Sequence, residues 1–253
     1  MYIIPLSIMS ITTYFDTIQK LVENETIELM KNHNIAGHGL DHFVAVRDHA
    51  VNALKFEQLS NEKNLQVILA AYLHDVDDNK IFPKSIDYQN ARKILDSVFQ
   101  NFDYVKLNFN IIYDEFKTNI IQLISLVSCS KNGDDEPPEK WMAIPRDADR
   151  LEAIGEIGIQ RCLEYTNHIS LPYYLTYTPK AKNIKDINLF ANAERFNSYK
   201  SGKKSVSMID HYYDKLLHIG KSDCLRSQNK YILQEAERRN NIMIDYLLNY
   251  EYK

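Results

Sequence analysis

Asn64-Leu-Gln-Val-Ile-Leu-Ala-Ala-Tyr-Leu-His-Asp75 is the stretch on which the fold turns. It is apolar on nearly every side, so a helix built from it has no face left for water and belongs inside the molecule. It ends on an imidazole and a carboxylate, His74 and Asp75, with Asp77 and Asp78 close behind and Pro83 barring further helix. A buried helix with its polar groups gathered at one end predicts a bundle with a site at that end. Successive helical residues project about 100° apart. His74 and Asp75 therefore share a ligand only if it sits over the wedge between them.

Outward from this segment the pattern stays helical. Residues 12–31 carry Phe15, Ile18, Val22, Ile27 and Leu29, and residues 42–56 place Phe43, Val46, Ala50 and Leu54 at mostly three- and four-residue steps. Further helices are expected over 86–101, 109–129 and 145–161, the last opening on Pro145, which suits a first turn. That helix carries Gly155 and Gly158, and two glycines three apart predict a close backbone approach. Residues 130–139 and 195–204 read as loops, and the Tyr- and Pro-rich stretch 168–186 as an irregular excursion. Helices over 203–219 and 229–250 close the chain. Glycine and proline number only seven each, and no strand alternation stands out. The expected fold is all-α: one domain over 1–253, with a core at about 20–165, an insertion at about 168–200 and two closing helices at about 203–250.

Composition narrows the function. The net charge is −4, from 30 Lys+Arg against 34 Asp+Glu. That argues against a dedicated nucleic-acid binder, which needs a basic surface, but leaves a small anionic substrate open. Cys129, Cys162 and Cys224 are widely spaced, so neither a disulfide framework nor a zinc ribbon is indicated. The apolar start, Met1–Met9, is too short to span a bilayer, which takes about 20 residues. The expectation is a soluble, cytoplasmic protein with a frayed start and no membrane partner.

Three words carry candidate ligands: Gly37-His38-Gly39-Leu40-Asp41-His42, His74-Asp75 and Asp147-Ala148-Asp149-Arg150-Leu151. Two imidazoles and two carboxylates suit one divalent ion, Mn, Fe, Co, Ni or Zn, whereas Mg prefers oxygen throughout. Positions left open for water and substrate distinguish a catalytic site from a structural one. Asp41 alone reads as a helix cap, and Asp147 as a first-turn carboxylate. His33, His49, His168 and His218 fit no motif and read as surface or packing residues. His211 and His38 read equally as hydrogen-bonding groups.

The order His…His-Asp…Asp resembles the HD superfamily of metal-dependent phosphohydrolases, and the match extends past the ligands. Leu73-His-Asp-Val-Asp-Asp-Asn-Lys80 resembles its Leu-His-Asp-x-x-Asp-x-Lys. Asp147 through Arg161, Ser207 through Leu217 and Ala236 through Met243 are similar to the small bacterial YpgQ/YedJ-like branch. The resemblance spans about residues 20–250 with a gap over 168–200. It implies an HD-type helical fold and hydrolysis of a phosphate ester or anhydride of a nucleotide or related small phosphate by a metal-activated water. The implied ligands are His42, His74, Asp75 and Asp149, with Asp147 as the alternative last ligand. The implied cofactor is one divalent metal ion (Mn, Co, Ni, Fe, Mg or Zn).

Asp78 or Asp77 is expected to orient the water or take its proton. Arg47, Lys80 and Arg150, near the ligands in sequence, and Lys215 and Arg239, matching the branch, are the cations expected to meet the phosphate. Gly39 stands where the branch has Asp after its first His. That departure favours a second reading, a non-catalytic HD-fold protein that binds a nucleotide or a partner. An HD-fold oxygenase would need further histidines after the His-Asp pair, and residues 76–120 contain none.

Overall fold

Ser10 starts the first helix, its side chain accepting the Thr13 amide at 3.3 Å. This computed structural model describes residues 10–31, 39–79 and 81–252. The expected frayed start, His33, His38 and Lys80 lie outside those residues. Helix α1 runs Ile11–Met30 and α2 runs Leu40–Leu54. Helix α3, Asn61–Leu73, is capped by Ser60 and buried without interruption from Leu65 to Leu73. It is the central helix that its composition predicts, with α1, α2, α5 and α7 packed around it. Among the described residues there is no strand.

Helix α4, Gln89–Asn101, starts three residues later than expected because Asp87 and Tyr88 both take the left-handed conformation, φ 52° and 56°. Helix α5, Tyr113–Ser125, stops short as well, and the chain re-enters a single turn, α6, Cys129–Asn132.

The helix expected over 145–161 is two helices. Helix α7, Ile144–Leu151, has Pro145 in its first turn, as expected, and α8 runs Gly155–His168. Gly155 sits at φ +74°, a left-handed conformation open to glycine, and it turns the chain between them. The expected approach of another backbone is met at Gly155, where the Arg239 Cα stands 3.4 Å from an added Cβ, and not at Gly158. At Gly158 the neighbour is the Ala153 carbonyl of the preceding turn, and at Gly155 it is the Arg239 stem.

The insertion expected over about 168–200 contains two short helices, α9 Ile184–Phe190 and α10 Ala193–Lys200, opened by the side-chain caps Asn183 and Asn192, and α10 occupies the first half of what reads as a loop over 195–204. The first closing helix is composite. Turn α11, Met208–His211, widens into a π segment at Tyr212–Leu216 and ends in α12, Leu217–Ile219. Helix α13, Lys230–Leu248, packs across α8, α7 and α2. Cys129, Cys162 and Cys224 are free thiols. No helix among the described residues is long and apolar enough to cross a membrane.

Candidate metal centre

Three elements meet where α3 ends. His42 lies in the first turn of α2, His74 and Asp75 follow the last residue of α3, and Asp149 sits in α7. His42 Nε2 is 3.2 Å from His74 Nε2, 3.6 Å from Asp75 Oδ2 and 3.4 Å from Asp149 Oδ1. His74 Nε2 is 3.5 Å from each of the same carboxylate oxygens. Two metal–ligand bonds of about 2.1 Å, meeting at 90–109°, hold their donors about 3.0–3.4 Å apart. The observed spacings lie at or just above that range. His74 is almost wholly enclosed, while the Asp149 side chain keeps 30% of its surface exposed, so the cluster opens to solvent on the α7 side.

The His74 ring is aimed from its own helix. Its Nδ1–H donates to the Ala71 carbonyl at 2.8 Å, which leaves Nε2 facing the cluster. Phe43, fully buried, meets the ring edge-on at 6.0 Å. Burial opposes charge on His74, but Asp75 and Asp149 overcome it and raise its pKa to about 9. Burial likewise opposes charge on Asp149, yet hydrogen bonds from His42 and His74 hold its carboxyl well below the usual range. Two carboxylates facing one enclosed pair of imidazoles call for positive charge. With two imidazole nitrogens beside those carboxylates, the donor set fits a divalent transition ion.

The neighbouring carboxylates have separate positions. Asp147 lies two residues before Asp149, about 200° around the helix. It is fully buried and accepts the Ser227 amide at 2.7 Å, on the side facing the 224–229 turn. Asp77 accepts hydrogen bonds from the Ser85 hydroxyl and from the Asn90 and Ala91 amides, so it caps α4 instead of facing a substrate. Asp78 is half-buried, and its amide donates to the Asp75 carbonyl at 3.0 Å, which keeps it one turn past the ligand pair.

Two of the cations expected at the phosphate prove to be internal. Arg150 is 2% exposed, with its guanidinium on the Cys224 and Gly133 carbonyls and the Asp134 carboxylate. Arg239 holds the Leu151 carbonyl and the Glu152 and Glu235 carboxylates. For Arg150 sequence proximity misled because each successive helical residue turns another 100° or so away; Arg239, expected from the likeness to the branch, is spent on these partners instead. Arg47, five residues after His42, lies over the Tyr72 ring and pairs with Asp48. Lys215 lies over the Tyr199 ring. Lys80 is outside the described residues.

A second cluster escaped the sequence reading. His218 Nε2 is 2.7 Å from Asp134 Oδ2 and 3.3 Å from Cys224 Sγ, and Phe196 stacks on the imidazole at 3.7 Å. Its residues are types that bind metals, but a thiol must ionise to ligate. Burial pushes the Cys224 thiol up to about 12. Arg150 already supplies the positive charge, 3.1 Å from Asp134. The cluster is a hydrogen-bonded anchor between the 133–135 loop and the closing helices.

No family model matches the chain. The uncharacterised protein L803 of Acanthamoeba polyphaga mimivirus is 59% identical over 241 residues, covering 95% of this chain and 99% of that one. An HD-superfamily hydrolase from Bacillus thuringiensis superposes with a TM-score of 0.59 at 20% identity, covering 91% of this chain and 93% of that one. Bacillus subtilis YpgQ, solved in complex with ADP, superposes with a TM-score of 0.55 at 20% identity, covering 94% and 93%. The fold is therefore the all-α HD-domain fold in its YpgQ-like form, as the motif order implies.

Proposed function

The chain belongs to the same family as mimivirus L803, and from its HD-domain fold and the cluster at the end of α3 we propose that it is a metal-dependent phosphohydrolase acting on a nucleotide or a related small phosphate. The observation that carries the reading is two imidazole nitrogens 3.2 Å apart, each 3.4–3.6 Å from a carboxylate oxygen of Asp75 and of Asp149, beside a solvent-facing edge. His42, His74, Asp75 and Asp149 would hold one divalent ion. A bound ion of this kind supplies charge that acidifies water and polarises a phosphoryl oxygen.

The protein's own part is placement, since phosphoryl transfer asks little covalent chemistry of side chains. Asp78, one turn past Asp75, is the group we assign to orient the attacking water and accept its proton. Lys80, two residues further along the chain, and Lys215 are the cations we assign to the substrate phosphate. A nucleotide substrate accords with ADP as the ligand of the YpgQ structure.

The test is a screen of nucleoside di- and triphosphates and phosphomonoesters with Mn, Co, Ni or Mg added, with Asp75→Ala as control. Turnover that needs Asp75 is expected, and turnover that survives Asp75→Ala sinks the assignment. One observation favours the second reading, a nucleotide binder without turnover. Gly39 stands where the branch has a carboxylate, and among the described residues a Cβ there would meet nothing within 4 Å. Nucleotide binding by the wild type with no hydrolysis under any of the four metals would establish that reading.

A further inference from the structure

Helices α2 and α7 each carry one arm of the metal centre, His42 and Asp149, and they are tied together a second time. His49 lies two turns past His42, about 10 Å along the same face of α2. Its Nε2 is 2.9 Å from Glu152 Oε1, three residues past Asp149 where α7 ends. Both side chains are about 90% buried. Tyr231 of α13 is 2.7 Å from His49 Nδ1.

Arg239 Nη2, a donor only, stands 3.0 Å from the same Nε2 that faces Glu152, so the two contacts compete for one ring nitrogen, and the tautomer that keeps the carboxylate bond is the one with hydrogen on Nε2. Tyr231 O–H donates to Nδ1, Nε2–H donates to Glu152, and Glu152 takes a second donor from Arg239 Nη1 at 3.1 Å. The same Arg239 nitrogen donates to the Leu151 carbonyl at 2.6 Å, closing the open end of α7, and Nε donates to Glu235 at 2.8 Å. Burial opposes charge on Glu152, but His49 and Arg239 hold its carboxyl low, as an ionised acceptor. Arg239 reaches the end of α7 only by crossing Gly155, where an added Cβ would come within 2.8 Å of the arginine Cγ.

Helices α2 and α7 already pack against one another, and a second buried polar tie, two turns along α2 from the first, resists the rotation of α7 that packing alone permits. Resting on the proposed metal centre, we propose that His49, Glu152 and Arg239 are positioning residues: a buried brace that sets α7 against α2 and so fixes Asp149 at its distance from His42.

The experiment is Mn2+ titration of folded wild type, His49→Ala and His49→Gln, with a metal-free crystal structure of His49→Ala. The glutamine amide nitrogen reaches where Nε2 stands, so His49→Gln is expected to recover most of what alanine loses. His49→Ala is expected to bind Mn2+ about 10–100-fold more weakly, the usual loss when the support of a ligand is removed. Its His42 Nε2 to Asp149 Oδ1 separation is expected to widen from 3.4 Å. A merely structural role would lower Tm and leave the affinity of the folded variant unchanged. Unchanged Mn2+ affinity, or an unmoved His42–Asp149 separation, overturns the brace. Wild type that binds no Mn2+ overturns the metal centre instead, and the crystal structure still decides the brace.

Discussion

Asp147 and Asp149 stand two residues apart on α7 and serve opposite sides of it. Asp147 Oδ2 takes the Ser227 amide at 2.7 Å in the interior, and Asp149 Oδ1 lies 3.4 Å and 3.5 Å from the two imidazoles at the open cluster. The Asp-Ala-Asp word thus joins an anchor to a ligand candidate. Asp149→Asn is expected to weaken Mn2+ binding by more than about 100-fold, beyond the loss of a merely supporting group, with Tm nearly unchanged. Asp147→Ala is expected to cost about 1–3 kcal/mol by orphaning the buried Ser227 amide, with metal affinity kept. Parallel thermal melts and metal titrations of the two variants check both halves.

The adjacent pair Asp77 and Asp78 divides in the same way. Asp77→Ala removes the acceptor at the start of α4 and is expected to cost about 0.5–2 kcal/mol of stability, read as a lower denaturation midpoint. Asp78→Asn is expected to cut turnover about 10²–10⁴-fold while Tm and Mn2+ affinity stay put. Loss of turnover in Asp77→Ala at a temperature where it is fully folded would contradict the division.

Asp134 makes stability depend on acid. Burial pushes its carboxyl up, but His218 and Arg150 more than offset that and bring it down to about 2 from an ordinary 3.8. A folded-state value below the unfolded one gives stability that is complete above pH 4 or so and lost as pH falls toward 2. The size is about 2 kcal/mol. Denaturation midpoints of wild type and Asp134→Asn should therefore draw together as pH falls from 5 to 3. A constant gap across that range would show that the ion pair does not carry the difference.

Gly39 offers a gain. Its φ of −82° suits any residue, it opens α2 without a side-chain cap, and among the described residues nothing stands within 4 Å of an added Cβ. Gly39→Asp is expected to fold with a few tenths of a kcal/mol more stability. It also adds negative charge beside His42 and is expected to tighten Mn2+ binding. Calorimetric titration reads the second effect, and weaker binding would reject it.

The central helix and the site at its end were legible because burial on all sides leaves a plain mark, the unbroken run from Leu65 to Leu73. Pro145 likewise announced α7. The break at 152–154 was hidden, since Ile154, Ile157 and Ile159 continue an apolar spacing across it and Gly155 reads as a packing residue until its φ is known. Helices α9 and α10 are too short for periodicity, and only their caps, Asn183 and Asn192, announce them. Arg150 shows the limit of charge as a signal. A guanidinium near a ligand in sequence can equally hold backbone carbonyls, and only the direction of its helix decides. His49 repeats the face of His42 after seven residues, a spacing that could have marked it, but its partners come from 103 and 190 residues away.

His74 donates Nδ1–H to a carbonyl three residues back in its own chain. The aim of this imidazole is thus a local property of one turn, present as soon as the end of α3 has formed. An ion bound as proposed would meet a ring already held, so the entropy of fixing it would fall on folding, not on binding. That half of the proposed socket stands without an ion, whereas the half made by Asp149 depends on how α7 is seated.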